Sequence, residues 1–344
     1  MQKKYIRLLA AMLCLCGIYG VPGQAAAEAD ASGAIPVRGI VEGFYGTPWT
    51  QKDRLSTLEF MHEHNLNLYI YAPKDDPYHR EKWREPYPAK EMQRLQELIQ
   101  TARKNNVEFV FAISPGLDMR FEGADGEADL TALITKFNSL YRAGVRQFAI
   151  FFDDIRNKDA QQQANVLNEV NRSFIHKRAD VKPLFTVPTE YFSLDMMTKK
   201  GIKKYTKDFA SRLDKDILVM YAGEGVVCEG ISLDNIASVE KIYGRKMAIW
   251  WNYPVSDYMK GKLALGPITG MGAGASDHMA AFVMNPMEHA VLSRITLATG
   301  ADFASQPASY NEDASWKHAL EEQYGALSED MQVFADHSQR MNND

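Results

Sequence analysis

The stretch Phe148-Ala149-Ile150-Phe151-Phe152-Asp153-Asp154 decides how this chain folds. Five apolar residues run without a polar break and stop at two adjacent carboxylates. A short, continuous apolar run of this kind suits a parallel strand covered on both faces. Reading outward from it, runs of the same character occupy residues 39–43, 67–72, 108–114, 147–153, 184–188, 217–222, 246–252 and 278–285. Their ends fall roughly 30–40 residues apart, enough for a helix and two loops in each unit of a (β/α)8 barrel.

The segments between the runs read as helices. Leu130, Leu133, Ile134, Phe137, Leu140 and Tyr141 keep one apolar face, and Gly144 follows as a stop. Met92, Leu95, Leu98, Ile99 and Ala102 do the same, and Thr50 precedes Leu55, Leu58 and Met61 as an N-cap. The pattern predicts an α/β fold, a (β/α)8 TIM barrel over residues 35–300. A doubly wound open sheet is the alternative that pattern alone leaves open. Residues 301–344 read as a linker, 301–311, and the start of a C-terminal helical region with Trp316, Leu320 and Tyr324 on one face.

The chain has 344 residues, 46% hydrophobic and 24% charged, which excludes disordered, collagenous and low-complexity classes. Net charge is -5 and there is no basic run, so no nucleic-acid partner is expected. Lys3, Lys4 and Arg7 precede an apolar stretch over 8–21 and the small residues Ala25, Ala26 and Ala27. This order is that of a cleaved signal peptide over 1–27. The apolar stretch is short for a membrane span. Leu15 before Cys16 is larger than lipid-attachment sites usually tolerate. A secreted, periplasmic or extracellular protein without a membrane partner is therefore expected. Cys14 and Cys16 leave with the segment, and Cys228, alone, makes neither a disulfide nor a zinc site.

Catalytic groups of such barrels stand at the C-terminal ends of strands. Those positions hold Gly43, Lys74 with Asp75 and Asp76, Ser114, Asp153 with Asp154, Thr189 with Glu190 and Tyr191, Trp250 with Asn252, Asp257, and Asn285. Carboxylates, carboxamides and aromatic rings are the groups that bind sugar hydroxyls and pyranose faces. Two adjacent carboxylates after a buried strand are costly unless paired or used, and their mutual repulsion separates an acid from a base. The alternative reading is a helix N-cap. Lys74 has the alternative of pairing with Asp75 or Asp76. Of Trp250 and Trp251 one is expected in the core, because neighbouring strand residues face opposite ways. His62 and His64 are misplaced for a metal pair, and no HExxH, paired CxxC, EF-hand loop or GxSxG elbow occurs. The glycines of 270–274 fit neither phosphate-loop pattern and read as a flexible loop. No metal or cofactor is expected.

On these residues the chain resembles glycoside hydrolase family 84, the β-N-acetylglucosaminidases that include eukaryotic O-GlcNAcase and bacterial relatives. The matching stretches are Arg38-Gly-Ile-Val-Glu-Gly-Phe-Tyr-Gly46 with Pro48-Trp49, Tyr71-Ala-Pro-Lys-Asp-Asp76, Ile113-Ser-Pro-Gly-Leu-Asp118, Phe151-Phe-Asp-Asp-Ile155, Pro188-Thr-Glu-Tyr191, Ile249-Trp-Trp-Asn252 with Asp257-Tyr258, and Asn285-Pro286. They fall in order, one per strand end.

The resemblance implies a retaining exo-hydrolase of terminal β-linked GlcNAc on glycans or glycoproteins. In that chemistry the sugar's own 2-acetamido oxygen attacks the anomeric carbon and forms an oxazoline. Asp153 would orient the acetamido group, and Asp154 would act as acid and then base. Gly43 (through its backbone), Lys74, Asn252, Asp257 and Asn285 would hold the sugar; Tyr191, Val226 and Trp250 would line the pocket. Ala222 stands where the resemblance leads one to expect Thr. Two other readings are carried beside this one. One is an endo-acting hyaluronidase-type enzyme, a label relatives have borne; the other is a catalytically silent GlcNAc-binding module.

Overall fold

In the computed structural model, residues 33–156 and 158–339 are described; the 1–27 segment lies outside them. The eight expected runs each hold one strand of a single closed sheet. These are β1 (Val37–Glu42), β2 (Leu68–Tyr71), β3 (Glu108–Ile113), β4 (Gln147–Phe151), β5 (Phe185–Val187), β6 (Leu218–Tyr221), β7 (Met247–Trp251) and β8 (Met279–Met284). All pair in parallel, each with its sequence neighbours, and β8 closes on β1 with Val37 opposite Ala281 and Ile40 opposite Met284. The closed sheet excludes the doubly wound alternative.

Continuous apolar runs are needed because both faces of each strand are covered. Val41, Ile70, Ala112, Phe151, Val187, Met220, Trp250 and Val283 fill the barrel interior. Their neighbours Ile40, Tyr69, Phe111, Ile150, Ile249, Trp251 and Phe282 pack outward in the layer shared with the helices. The two tryptophans therefore part as expected, Trp250 inward and Trp251 outward.

The helices begin and end where their caps put them. Thr50 and Asp53 form a capping box at the start of α1 (Gln51–Glu63). α2 (Ala89–Lys104) buries Leu95, Leu98, Ile99 and Ala102. α3 (Gly123–Ala143) stops at Gly144, whose φ of 115° favours glycine. α4 (Ala160–Val170), α5 (Lys204–Arg212) and α6 (Leu233–Tyr243) follow their strands in turn.

Strict alternation fails once, between β7 and β8. That connection contains only a short 3-10 turn, Ala275–His278. Pro254, Gly261, Gly266, Pro267, Gly270, Gly272 and Gly274 deny it a continuous helix. Its glycine loop is pinned rather than free-standing: Ile231 and Gly272 exchange backbone hydrogen bonds with Gly270 and Ile231 at 3.1 and 2.9 Å. A Cβ on Gly270 would meet the Glu229 carbonyl oxygen at 2.1 Å, so close backbone approach explains the glycine.

The linker expected at 301–311 is only half right. α7 (Ala290–Ser305) runs through Gly300 to Ser305. A Cβ on Gly300 would lie 2.1 Å from Met284 Sδ, so its bareness lets the helix press on β8. α8 (Glu312–Tyr324) and α9 (Ser328–Asp336) then fold back on the β7–β8 connection. Trp316, Leu320 and Ala335 pack with Ala264, Leu265 and Met287, and Trp316 Nε1 donates to the Leu265 carbonyl at 2.7 Å.

Candidate active site

All eight strands point their C-terminal ends at one mouth, and loops from these ends enclose a cavity of about 700 Å³. Gly43, Lys74, Asp153, Asp154, Tyr191, Val226, Trp250, Asn252, Asp257 and Asn285 all line it. Every residue to which the resemblance gives a role in the site is thus in one place.

The aspartate pair follows β4, and the two side chains enter different environments. Asp153 is buried, and its Oδ2 accepts from Lys74 Nζ, delivered by the loop after β2. Only 3% of the Lys74 side chain is exposed, which rules out the reading of a surface lysine paired with Asp75 or Asp76. Burial works to raise the Asp153 carboxyl, but the Lys74 ammonium prevails and holds it below the usual carboxylate range. Its other oxygen, Oδ1, is buried with no hydrogen-bond partner in the protein.

Asp154 takes φ +54°, a left-handed backbone that aspartate tolerates better than most residues. Its exposed carboxylate accepts from two phenols, Tyr45 at 2.8 Å and Tyr191 at 3.2 Å. Both phenols are pushed well above their ordinary pKa, first by burial and then by the Asp154 charge. They therefore remain protonated donors. The pair is no helix N-cap, since the next helix, α4, is capped by Asp159.

The opposite wall is a chain of fixed carboxamides. Gly43 N donates to Asn285 Oδ1 at 3.2 Å, and Asn285 Nδ2 donates to Asn252 Oδ1 at 3.1 Å. Trp250 Nε1 donates to the same Asn252 oxygen at 2.8 Å, while Asn252 Nδ2 donates to the Val226 carbonyl at 2.7 Å. Oxygen and nitrogen ends of both side chains are thereby assigned by their partners. Gly43 has a further reason to be glycine: a Cβ would stand 2.5 Å from Trp250 Cζ2. Asp257 accepts from the Tyr45 amide at 2.7 Å. Val187, Met220, Ala222 and Val255 supply apolar surface.

Position at a strand end selects too many residues. Ser114 meets His79 Nε2 at 3.1 Å, and burial pushes that imidazole down to about 4. Thr189 donates to the Phe152 carbonyl, and Glu190 accepts from Thr206. Asp75 accepts from Gly46 N, and Asp76 accepts from the Tyr71 and Tyr87 hydroxyls. These groups brace the loops without lining the cavity. Sequence reasoning gave no role to Tyr45, although it lies in the 38–46 stretch that carries the resemblance, two residues beyond Gly43. Among the described residues no cluster of three or more His, Cys, Asp or Glu could hold a metal ion.

A parallel barrel whose strand ends converge on two differently housed carboxylates, in a cavity rich in aromatic and carboxamide groups, defines a glycoside hydrolase barrel. Residues 38–336 match the model of the β-N-acetylglucosaminidase family, and the chain belongs to that family. The protein O-GlcNAcases of Rattus norvegicus and Mus musculus are each 33% identical over 276 residues, covering 77% of this chain and 29% of theirs. The chain thus spans under a third of the length of these curated relatives. Among solved structures, CpGH84B superposes with a TM-score of 0.88 at 51% identity over 89% of this chain and 55% of its own. A point mutant of the Thermobaculum terrenum O-GlcNAc hydrolase gives 0.83 at 32% identity, over 90% of this chain and 68% of its own.

Proposed function

We propose that this chain is a retaining exo-β-N-acetylglucosaminidase that removes terminal β-linked GlcNAc by substrate-assisted catalysis. The observation that carries the reading is the contrast between the two aspartates. Asp153 is buried, anionic through Lys74, and presents Oδ1 as an unused acceptor. A 2-acetamido N–H satisfies that oxygen and turns the acetamido oxygen toward the anomeric carbon. Asp154, at the exposed side of the cavity, donates its proton to the glycosidic oxygen as that bond breaks. The oxazoline forms as its N-protonated cation, balanced by the Asp153 carboxylate, and the free alcohol leaves. Asp154, now a carboxylate, takes a proton from water as the water opens the oxazoline at the same face. The configuration is retained, with neither aspartate bonded to the sugar, unlike the usual two-carboxylate scheme.

Exo action is favoured by the polar end formed by Asp257, Asn252 and Asn285, which meets hydroxyls of a chain-terminal sugar. A glycan or glycoprotein is the substrate class, and the 1–27 segment directs the chain out of the cytoplasm. The test is nitrophenol release from the aryl β-GlcNAc glycoside beside the aryl β-glucoside, which lacks the acetamido group. Cleavage of the first alone is expected. Equal cleavage of both would remove Asp153 from this role, and GlcNAc binding without cleavage would make the chain a binding module.

A further inference from the structure

Tyr45 is held from three directions, more than a pocket wall requires. Its amide donates to Asp257 Oδ2 at 2.7 Å, its hydroxyl donates to Asp154 Oδ2 at 2.8 Å, and the same hydroxyl accepts from Arg80 Nη1 at 3.2 Å. Two cations flank its ring, Lys74 Nζ at 5.5 Å and the Arg80 guanidinium at 5.4 Å from the centroid. Arg80 itself does not line the cavity. Among the described residues it has no carboxylate within ion-pair distance; its charge helps hold the Asp153 carboxyl down, and its hydrogen bond goes to the tyrosine that holds the acid.

We propose that Arg80 is a positioning residue for the acid–base step, acting through the Tyr45 hydroxyl to hold Asp154 as an oriented carboxylate. The inference rests on the reading of Asp154 as acid and base. A phenol that accepts from a guanidinium donates more strongly, and a carboxylate gains more from such a donor than does a neutral carboxyl. The relay therefore favours the anionic form, the one that takes the proton from water in the second half of turnover. The first half needs the protonated form, so the relay sets where the balance falls on the pH axis. The other groups facing Asp154 are Tyr191, which donates at 3.2 Å, and Asp153 with its partner Lys74. The Asp153 charge opposes a second charge nearby, and Lys74 and Arg80 both act against it; the Arg80–Tyr45 arm is the part that reaches Asp154 by hydrogen bonds.

The experiment compares Tyr45→Phe, Arg80→Met, Arg80→Lys and the Tyr45→Phe/Arg80→Met double variant in kcat/KM against pH on the aryl β-GlcNAc glycoside. Loss of one hydrogen bond to an ionised group moves the alkaline limb upward by about one pH unit in Tyr45→Phe. Arg80→Met is expected to move it about half as far, and Arg80→Lys to restore it. The double variant should move no further than Tyr45→Phe, because the hydrogen bond by which Arg80 reaches Asp154 runs through the phenol. A purely structural role would lower the rate at every pH and leave the limb in place. An unmoved limb, or additive shifts in the double variant, overturns the proposal. The carboxyl carbon-13 titration of the free proteins, assigned with Asp154→Asn, reads the same shift without turnover. A wild type inactive on the glycoside would sink the proposed function, while this titration would still decide the relay.

Discussion

Lys74→Met isolates the arrangement on which the site depends. The substitution keeps the volume of the side chain and removes its charge, leaving Asp153 buried without its cation. In the wild type the Asp153 carboxyl is depressed by Lys74, so its contribution to stability is present above about pH 4, the unfolded carboxylate range, and is lost as pH falls below it. In Lys74→Met burial, the largest influence, is opposed only by the Arg80 charge and a backbone hydrogen bond, so the carboxyl moves upward and the sign reverses. The variant then loses stability as pH rises from about 4 to neutrality. With 3% and 9% of the two side chains exposed, the pair counts as buried, and breaking such a pair costs about 3–5 kcal/mol. That loss is expected at pH 7.5 and should be smaller at pH 4, where the folded variant carries Asp153 protonated while the wild-type pair is still ionised. Urea unfolding of both proteins at the two pH values measures it. Lys74→Met/Asp153→Asn, which removes both charges, should recover most of the loss at pH 7.5. Equal destabilisation at pH 4 and 7.5, or none at 7.5, would refute the reasoning.

Other perturbations separate the parts of the site. Asp154→Asn should lower kcat about 10²–10⁴-fold on glycosides with poor leaving groups and far less on activated phenols, as measured across a series of aryl glycosides. Asp153→Ala should abolish turnover with every leaving group in that series, since its proposed role lies on the acetamido side. Gly43→Ala places a Cβ 2.5 Å from Trp250 Cζ2, so the indole must move and strain its bond to Asn252. A loss of about 1–3 kcal/mol in unfolding free energy and a rise in KM of about tenfold or more are expected.

The barrel was legible because burial on both faces forces each strand to be an uninterrupted apolar run, and polar chemistry begins where burial ends. That rule also placed Lys74, Asp153 and Asn285 at one mouth, since a parallel barrel gathers its strand ends. It could not distinguish a group facing the cavity from one facing the next loop, which is why Ser114, Thr189 and Glu190 were selected with the rest. Tyr45 and Arg80 carry no periodic signal: they sit on irregular loops, and only folding brings them together from 35 positions apart. The stretch after Gly300 reads as a linker for another reason. Glycine serves both as a helix stop and as a bare surface for close packing, and the sequence does not say that Met284 lies against it.

One backbone angle accounts for how two chemically identical neighbours suit the different tasks proposed for them. A continued strand would turn Asp153 and Asp154 to opposite faces of the sheet, one of them among the helices. The left-handed turn at Asp154 instead keeps both carboxylates on the cavity. It leaves Asp153 at the barrel's dry end, where Lys74 fixes its charge. Asp154 is lifted to the wet end, where two phenols hold it and protons can come and go. An acid–base group needs exchange with solvent, and an orienting anion needs the opposite. The turn after β4 provides both within two residues.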